Sequence, residues 1–365
     1  MALHIILRVY RTPRLIDCIQ LQLFLISHEG DVTVDTTPRF AIADVVAFAR
    51  EIYDLTAAAS PLPSERDQNF ALDAVSGEKY ILKIAKSDEE RSVLELQNAA
   101  LTHAAERAPD LALPRVVPAA SGENMATIGN KHGKTYFVRL LTWLHGEIFV
   151  HAFPHDAVLL ASLGAVLGDV DRALQGFSHG AMHRELYWDV KRADLALEHL
   201  SLLPTEQQSV VRHFMHAWRA VEWKALRHSL IHGDANDYNV LVREGRVVGL
   251  LDFGDMVYSA VVCDLAIALA YALLDQPDPL AASVPIIRAY HSRFALTKSE
   301  IDALYPLMTA RLCMTLCYAA YNAQVKSGDA YQLVTAGPAW TLLQRLIGVP
   351  RDAVHHLFRH SVETL

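Results

Sequence analysis

The sequence predicts an α+β fold of two lobes, a small antiparallel sheet followed by a larger helical half. Three observations carry that prediction. Between residues 59 and 144, short segments alternate apolar and polar residues around one long amphipathic stretch. From Gly146 onward, apolar residues recur at helical spacing instead. One strand-like island, "NVLVREGRVVGLLDF" at 239–253, interrupts that helical texture. A chain of 365 residues, 52% of them hydrophobic, can bury a core large enough for two lobes.

The first 36 residues are apolar and Arg-bearing, a little like a targeting segment. Asp17 interrupts the apolar part and no small-residue cleavage site follows, so 1–36 reads as an extension with little bearing on function. The sheet-bearing lobe is expected over 37–141. "AIADVVAFAREIYDL" opens it as a helix just after Pro38. "NFALDAV" and "KYILKIA" then alternate as strands, with "SG" as the turn between them. The stretch 87–107 is a helix with its acidic residues placed in the first turn, where the helix dipole favours them. "LPRVVPA" and "KTYFVRLLTWL" read as further strands.

The helical lobe, 142–365, carries apolar faces in "DAVLLASLGAVLGDVDRAL", "WDVKRADLALEHL", "EQQSVVRHFMHAWRAVEWKAL", "SVPIIRAYHSRF" and "IDALYPLMTARLCMTLCYAAYNAQV". Its longest apolar run, 261–274, is too short to span a membrane and contains Asp264, so it reads as a buried helix. The formal net charge of −8 argues against a nucleic-acid binder that works by neutralising phosphates. The four cysteines, Cys18, Cys263, Cys313 and Cys317, have no CxxC spacing and read as reduced thiols of a cytoplasmic protein.

The chemistry concentrates in the island. A strand–turn–strand fold, with "REGR" as the turn, brings Asn239 and Asp252 together although they are far apart in sequence. An Asp and an Asn oxygen are hard ligands of the kind Mg²⁺ takes, leaving positions for phosphate and water. Asp234 is offset on the preceding loop, where it can face a hydroxyl group as base or orienter. Gly233 and Gly254 permit unusual backbone angles beside the two aspartates. The sheet lobe offers Lys83, in "ILKIA", to anionic phosphates, with Glu95 of the next helix to hold it and Glu90 as second choice. "PSERDQN", 63–69, lies between strand-like segments, where backbone N–H groups and Arg66 can cover phosphates; without glycine it is a weak signal of that kind.

"HGDANDYN" followed by "LLDFGD" resembles the motif pair of the aminoglycoside phosphotransferase and choline kinase superfamily, a branch of the protein-kinase-like fold. The resemblance covers about residues 38–345. "PLPSERDQNF", "LHGEIF", "HRELYWD" and "IHGDANDYNVLV" are similar to the hydroxylysine kinase branch, and to the kinase domain that some bacterial proteins fuse to a class III aminotransferase-like domain. The resemblance implies a bilobal kinase that moves the γ-phosphate of ATP or GTP to an alcohol with Mg²⁺. It implies Asp234 as the catalytic aspartate and Asn239 and Asp252 as metal ligands. Lys83 would lie on the α/β-phosphates with Glu95 fixing it, and the backbone around Thr142 and Leu144 on the purine. His232 and Asp264 are framework residues in that pattern. The glycine-free loop at 64–69 departs from many relatives and leaves the choice of nucleotide open, although the hydroxylysine kinase branch uses GTP.

The expected acceptor is a small hydroxylated amine or amino acid, 5-hydroxy-L-lysine first. Aminoglycosides, homoserine, choline and ethanolamine are alternatives. An ammonium group wants carboxylates, and Asp237, Glu185, Asp189 and Asp255 lie near the motifs. Trp188 reads equally as acceptor contact or core aromatic. Arg311 and Arg184 can meet a substrate carboxylate or serve the core. A nucleotide-binding pseudokinase is disfavoured by the intact Asp234, Asn239, Asp252 and Lys83. A protein kinase is disfavoured by the missing glycine-rich loop and Ala-Pro-Glu segment.

Overall fold

The structure is a computed structural model and describes residues 36–64, 67–130, 133–325 and 330–363. The extension read at 1–36 lies outside those residues apart from Thr36, and so do Arg66 and Cys18.

The first lobe is an antiparallel sheet with a helix on each side. Helix α1 (Ile42–Tyr53) precedes strands β1 (Ala57–Leu62), β2 (Gln68–Ala74) and β3 (Lys79–Ile84). Helix α2 (Arg91–Arg107) follows, then β4 (Val116–Val117), β5 (Ala126–Gly129) and β6 (Thr135–Thr142). The spatial order is β1-β2-β3-β6-β4, with β5 on the other end of β6. Alternation sorts the faces as a pleated strand must. Phe70, Leu72, Leu82, Ile84, Val138 and Leu140 pack against Val45 and Ala49 of α1. The intervening residues, Lys83 and Arg139 among them, therefore point to the face that carries α2 and the cleft. The register sets Lys83 directly opposite Arg139.

Short strands were the elements least visible in the sequence: β1 and β5 carry no strong alternation and gain their identity from pairing with β2 and β6. Helix α2 starts at Arg91, later than its acidic run suggests. Glu90 is extended at φ −71°, ψ 126°, so the acids at 88–90 form the turn before the helix rather than its first turn.

In the second lobe β7 (Glu147–Ile148) leads to α3 (Ala157–Ala173), capped by the Asp156 carboxylate on two backbone N–H groups. The segment 188–200, read as a helix, is instead two short 3-10 turns at Val190–Arg192 and Leu195–Leu202. Asp189 caps the first of them, and the Val190 carbonyl accepts from the Trp218 indole at 2.9 Å. These contacts fix a tighter path than an α-helix. Helix α4 (Thr205–Arg219) precedes β8 (His228–Ile231), β9 (Val240–Arg243), β10 (Arg246–Leu250) and β11 (Val257–Ala260). Strand β9 lies between β7 and β10, and β8 pairs with β11.

Helix α5 (Val262–Ala272) is buried along its whole length, Asp264 included, as its long apolar run predicts. Helices α6 (Pro279–Arg293), α7 (Lys298–Val325), α8 (Ala330–Leu346) and α9 (Arg351–Glu363) complete the lobe. Cys263, Cys313 and Cys317 are free and buried, and burial raises their thiol pKa, that of Cys317 to about 12. That makes them packing groups rather than nucleophiles. Among the described residues no helix is long and apolar enough to cross a membrane.

Candidate active site

The site is built on the loop from β8 to β9. Asp264 of α5, fully buried, accepts the backbone N–H groups of His232 at 2.7 Å and Gly233 at 2.8 Å. Gly233 sits at φ +80°, and a Cβ there would collide with the Asp255 carbonyl oxygen, so only glycine lets the loop pass so close to the 252–256 segment. The His232 ring joins the two ends of the island. Its Nε2 lies 2.8 Å from the Leu251 carbonyl and its Nδ1 accepts from the Asp234 N–H at 3.3 Å, which fixes the proton on Nε2. His232 and Asp264 thus frame the loop.

Asp234 projects from this frame with both carboxylate oxygens engaged. Oδ1 accepts from the Arg311 guanidinium at 2.6 Å. Oδ2 accepts from the side-chain amides of Asn236 at 2.8 Å and Asn239 at 2.9 Å. Burial pushes the Asp234 carboxyl up from its ordinary range, and the Arg311 charge opposes that push.

Asn239 immediately precedes β9, and its carbonyl accepts the Leu251 N–H at 2.7 Å, so the strand pairing carries Asp252 to the same end of the hairpin. Asp252 is held in the left-handed region at φ 51° with its side chain 57% exposed to the cleft. The Lys83 ammonium stands 3.5 Å from its Oδ1. The Asp252 carboxylate and the side-chain amide oxygen of Asn239, from the same end of the hairpin, are hard oxygen donors of the kind a divalent cation takes, with the Lys83 ammonium as the carboxylate's present counter-charge.

Glu95 does not hold Lys83. Its carboxylate is paired with Arg91 at 2.7 Å on the exposed face of α2. Glu90 stands at the start of the helix, beside the Ser92 hydroxyl at 3.4 Å. The residues α2 turns to the sheet are Gln97 and Asn98, whose amide oxygens accept from Arg139 at 2.8 and 3.1 Å. Arg139 is 3% exposed, and burial lowers its pKa.

Between the lobes a cleft of about 200 Å³ is lined by Ala112, Trp143, Leu144, His145, Leu241, Arg243, Val248 and Gly249. A Cβ on Gly249 would strike the Ala112 carbonyl, so the two segments touch across the cleft floor. Leu144 faces this cleft, whereas the Thr142 hydroxyl accepts the Arg115 N–H at 2.9 Å and serves the sheet.

On the far side of Asp234 the predicted acceptor residues divide. Arg311, 2% exposed, does not stand free for a substrate carboxylate. It donates to Asp234, to the Tyr271 hydroxyl at 3.1 Å and to the Trp188 carbonyl at 3.0 Å. Its guanidinium also lies 4.7 Å from the Trp188 ring and 5.4 Å from the Tyr271 ring. Arg184 is spent on the backbone of the 252–256 segment, donating to the Gly254 and Met256 carbonyls. Glu185 pairs with Arg192 at 2.6 Å, and Asp189 caps its turn and accepts from Ser259 at 2.8 Å, so neither carboxylate is aimed at a ligand.

Asp255 lies close enough to Asp234 to raise its pKa further. Asp237 is buried, its Oδ1 has no hydrogen-bond partner among the described residues, and burial lifts its carboxyl to about 7. Trp188 packs edge-on to Tyr318 at 4.7 Å, and the half-exposed Tyr187 meets Tyr318 at 5.3 Å. Of this aromatic wall the sequence reading had Trp188 alone; Tyr187, Tyr318, Tyr271 and Arg139 escaped it, although Arg139 left a signal as a charge in the middle of an apolar strand.

Comparison with known proteins agrees with this architecture. The model of the phosphotransferase enzyme family matches residues 58–304. Hydroxylysine kinase of Mus musculus is 28% identical over 359 residues, covering 90% of this chain and 94% of its own. The Bos taurus protein of the same name is 27% identical over 362 residues, covering 90% and 95%. A microcompartment-associated aminopropanol kinase superposes with a TM-score of 0.66 at 17% identity, covering 84% of this chain and 97% of its own. The amicoumacin kinase hAmiN, solved with AMP-PNP, Ca²⁺ and Ami, gives 0.63 at 15% identity, covering 87% and 94%.

Proposed function

The chain belongs to the phosphotransferase enzyme family, and from that premise we propose that it transfers the γ-phosphoryl group of a purine nucleotide to the hydroxyl of a small amine or amino acid, 5-hydroxy-L-lysine before others. The observation that carries the transfer reaction is the confrontation of Asp234 with the Asn239–Asp252 hairpin and Lys83 across one cleft. The acceptor choice rests on relatives named hydroxylysine kinase that align over nine-tenths of the chain.

The base of the nucleotide occupies the cleft at Trp143–His145 and Leu241, and its phosphates lie toward Lys83. Asn239 and Asp252 would hold Mg²⁺, which supplies neutralising charge to the phosphate oxygens when bound. The acceptor oxygen forms its bond to the γ-phosphorus as the bond from that phosphorus to the β-bridging oxygen breaks, and the nucleoside diphosphate leaves. The hydroxyl proton passes to Asp234. Catalysis of this type is mostly positioning and charge stabilisation, and a carboxylate already held by three donors is suited to orienting the hydroxyl. Asp255 and the aromatic faces of Tyr187 and Trp188 offer the acceptor's ammonium group a carboxylate and a π-surface.

The test is release of GDP and of ADP over a panel of hydroxylated amines, amino acids and one aminoglycoside. The expected result is the highest kcat/KM on 5-hydroxy-L-lysine, falling when its α-carboxylate is removed. A decarboxylated analogue or an aminoglycoside with the higher kcat/KM overturns the acceptor and leaves the kinase; no transfer to any alcohol with either nucleotide overturns both.

A further inference from the structure

Arg311 is charged, buried and far in sequence from every motif, and a buried guanidinium is costly unless its donors are matched. Here they are matched by groups from separate parts of the lobe. Nε goes to the Tyr271 hydroxyl of α5 at 3.1 Å, one terminal nitrogen to the Trp188 carbonyl at 3.0 Å and the other to Asp234 Oδ1 at 2.6 Å. The rings of Trp188 and Tyr271 hold its plane. The same residue therefore binds the carboxylate and the backbone of the aromatic wall beside it. Asp234 Oδ1 takes the Arg311 guanidinium and Oδ2 takes the amides of Asn236 and Asn239, so Arg311 sets one edge of the carboxylate and the loop sets the other.

We infer that Arg311 is a positioning residue that sets the register between the carboxylate of Asp234 and the Tyr187–Trp188 wall, and so the placement of the acceptor rather than of the nucleotide. The inference rests on the reading of Asp234 as the acceptor-side carboxylate. A lysine keeps a positive charge within reach of Asp234 but has a single nitrogen, without the planar fork that spans Trp188 and Tyr271. The substitution Arg311→Lys thus separates geometry from charge.

The experiment measures kcat and KM for nucleotide and for the best acceptor of the panel in wild type, R311K, Y271F and D234N, with acceptor-independent nucleotide hydrolysis alongside. The expected result for R311K is a fall of about 100-fold in kcat/KM for the acceptor, the cost of an ångström-scale misplacement. Nucleotide KM should stay within about twofold, and the ratio of transfer to hydrolysis should drop. Y271F removes one anchor and leaves the charge pair; it should show the same pattern at about 3- to 10-fold, and it carries the test if R311K folds poorly. R311K at wild-type acceptor kcat/KM with D234N inactive overturns the role of Arg311 alone. Loss of transfer, hydrolysis and nucleotide binding together marks a merely structural residue and also overturns it. Turnover retained in D234N overturns the reading of Asp234 and the inference with it.

Discussion

The two walls of the cleft are finished to different degrees. On the helical side His232, Asp234, Asn236 and Asp264 satisfy one another and the backbone. On the sheet side Lys83 and Arg139 face each other across paired strands, an arrangement in which like charges repel. Arg139 is held by neutral amides, and Lys83 reaches for a carboxylate of the opposite wall at 3.5 Å. The helical wall is organised before any ligand arrives; on the sheet wall Asp67, Asp252 and Glu89 act on Arg139 without a hydrogen bond, and a polyphosphate would add anionic charge there. Preorganised dipoles serve a transition state best where charge moves, and the acceptor side is where the proton moves.

The comparison breaks most sharply at its best-ordered residue. Replacing Asp234 with Ala should cut phosphoryl transfer by about 10³-fold while nucleotide affinity hardly changes, because in the proposed function the carboxylate addresses the acceptor. Stopped assays of product with parallel calorimetry of nucleotide binding check both halves. Wild-type turnover in that variant would remove the residue from catalysis.

Next comes the contact between the walls. Asp252→Ala should abolish the Mg²⁺-dependent part of nucleotide affinity, since Asn239 alone remains as a protein ligand. Calorimetry with and without Mg²⁺ reads this directly, and an undiminished Mg²⁺ effect contradicts the metal assignment.

The sheet wall itself is tested by Arg139→Met. It removes the like charge opposite Lys83 but strands two buried amides, at a cost of about 1–3 kcal/mol. Denaturant melts should show that loss without nucleotide, and a smaller stabilisation by nucleotide than in wild type. An unchanged response to nucleotide would mean that Arg139 only tethers α2.

The smallest effect belongs to the helical wall's hidden support. Asp171 of α3 accepts from Tyr290 at 2.5 Å, and burial holds its carboxyl well above the ordinary range. The folded state therefore keeps a proton that the unfolded chain loses. That contribution is whole below the unfolded pKa and fades as pH rises toward the folded one. Asp171→Asn mimics the protonated form, so its stability relative to wild type should grow with pH in urea melts between pH 5 and 8.5. A pH-independent difference would show the group to be ionised in the fold.

Much of this was legible in the sequence, and the limits have physical causes. Asp234, Asn239 and Asp252 sit on one tight loop and one hairpin, where spacing dictates neighbourhood. Lys83 was legible as a strand residue facing away from the apolar set. Glu95 was not placed correctly because sequence gives a helix but not its rotation. Gln97 is two residues on, roughly 200° around the axis, and that is the side facing the sheet. Arg311 was legible only as a cation for a substrate carboxylate or for the core, since its partners come from residues 188, 234 and 271 and meet only in the tertiary fold. Strands β8 and β11 were missed because four apolar-rich residues carry no period.

The close approach of Gly249 to Ala112 has a mechanical meaning. A lone parallel bridge there fastens the segment after α2 to the far lobe, at the cleft floor. The seam lies where the cleft of Trp143, Leu144 and Leu241 is lined, so widening that space has to bend or break the bridge. A methyl group at position 249 would meet the Ala112 carbonyl oxygen and act as a wedge in the seam. It would hold the jaws ajar at the base while leaving each jaw intact.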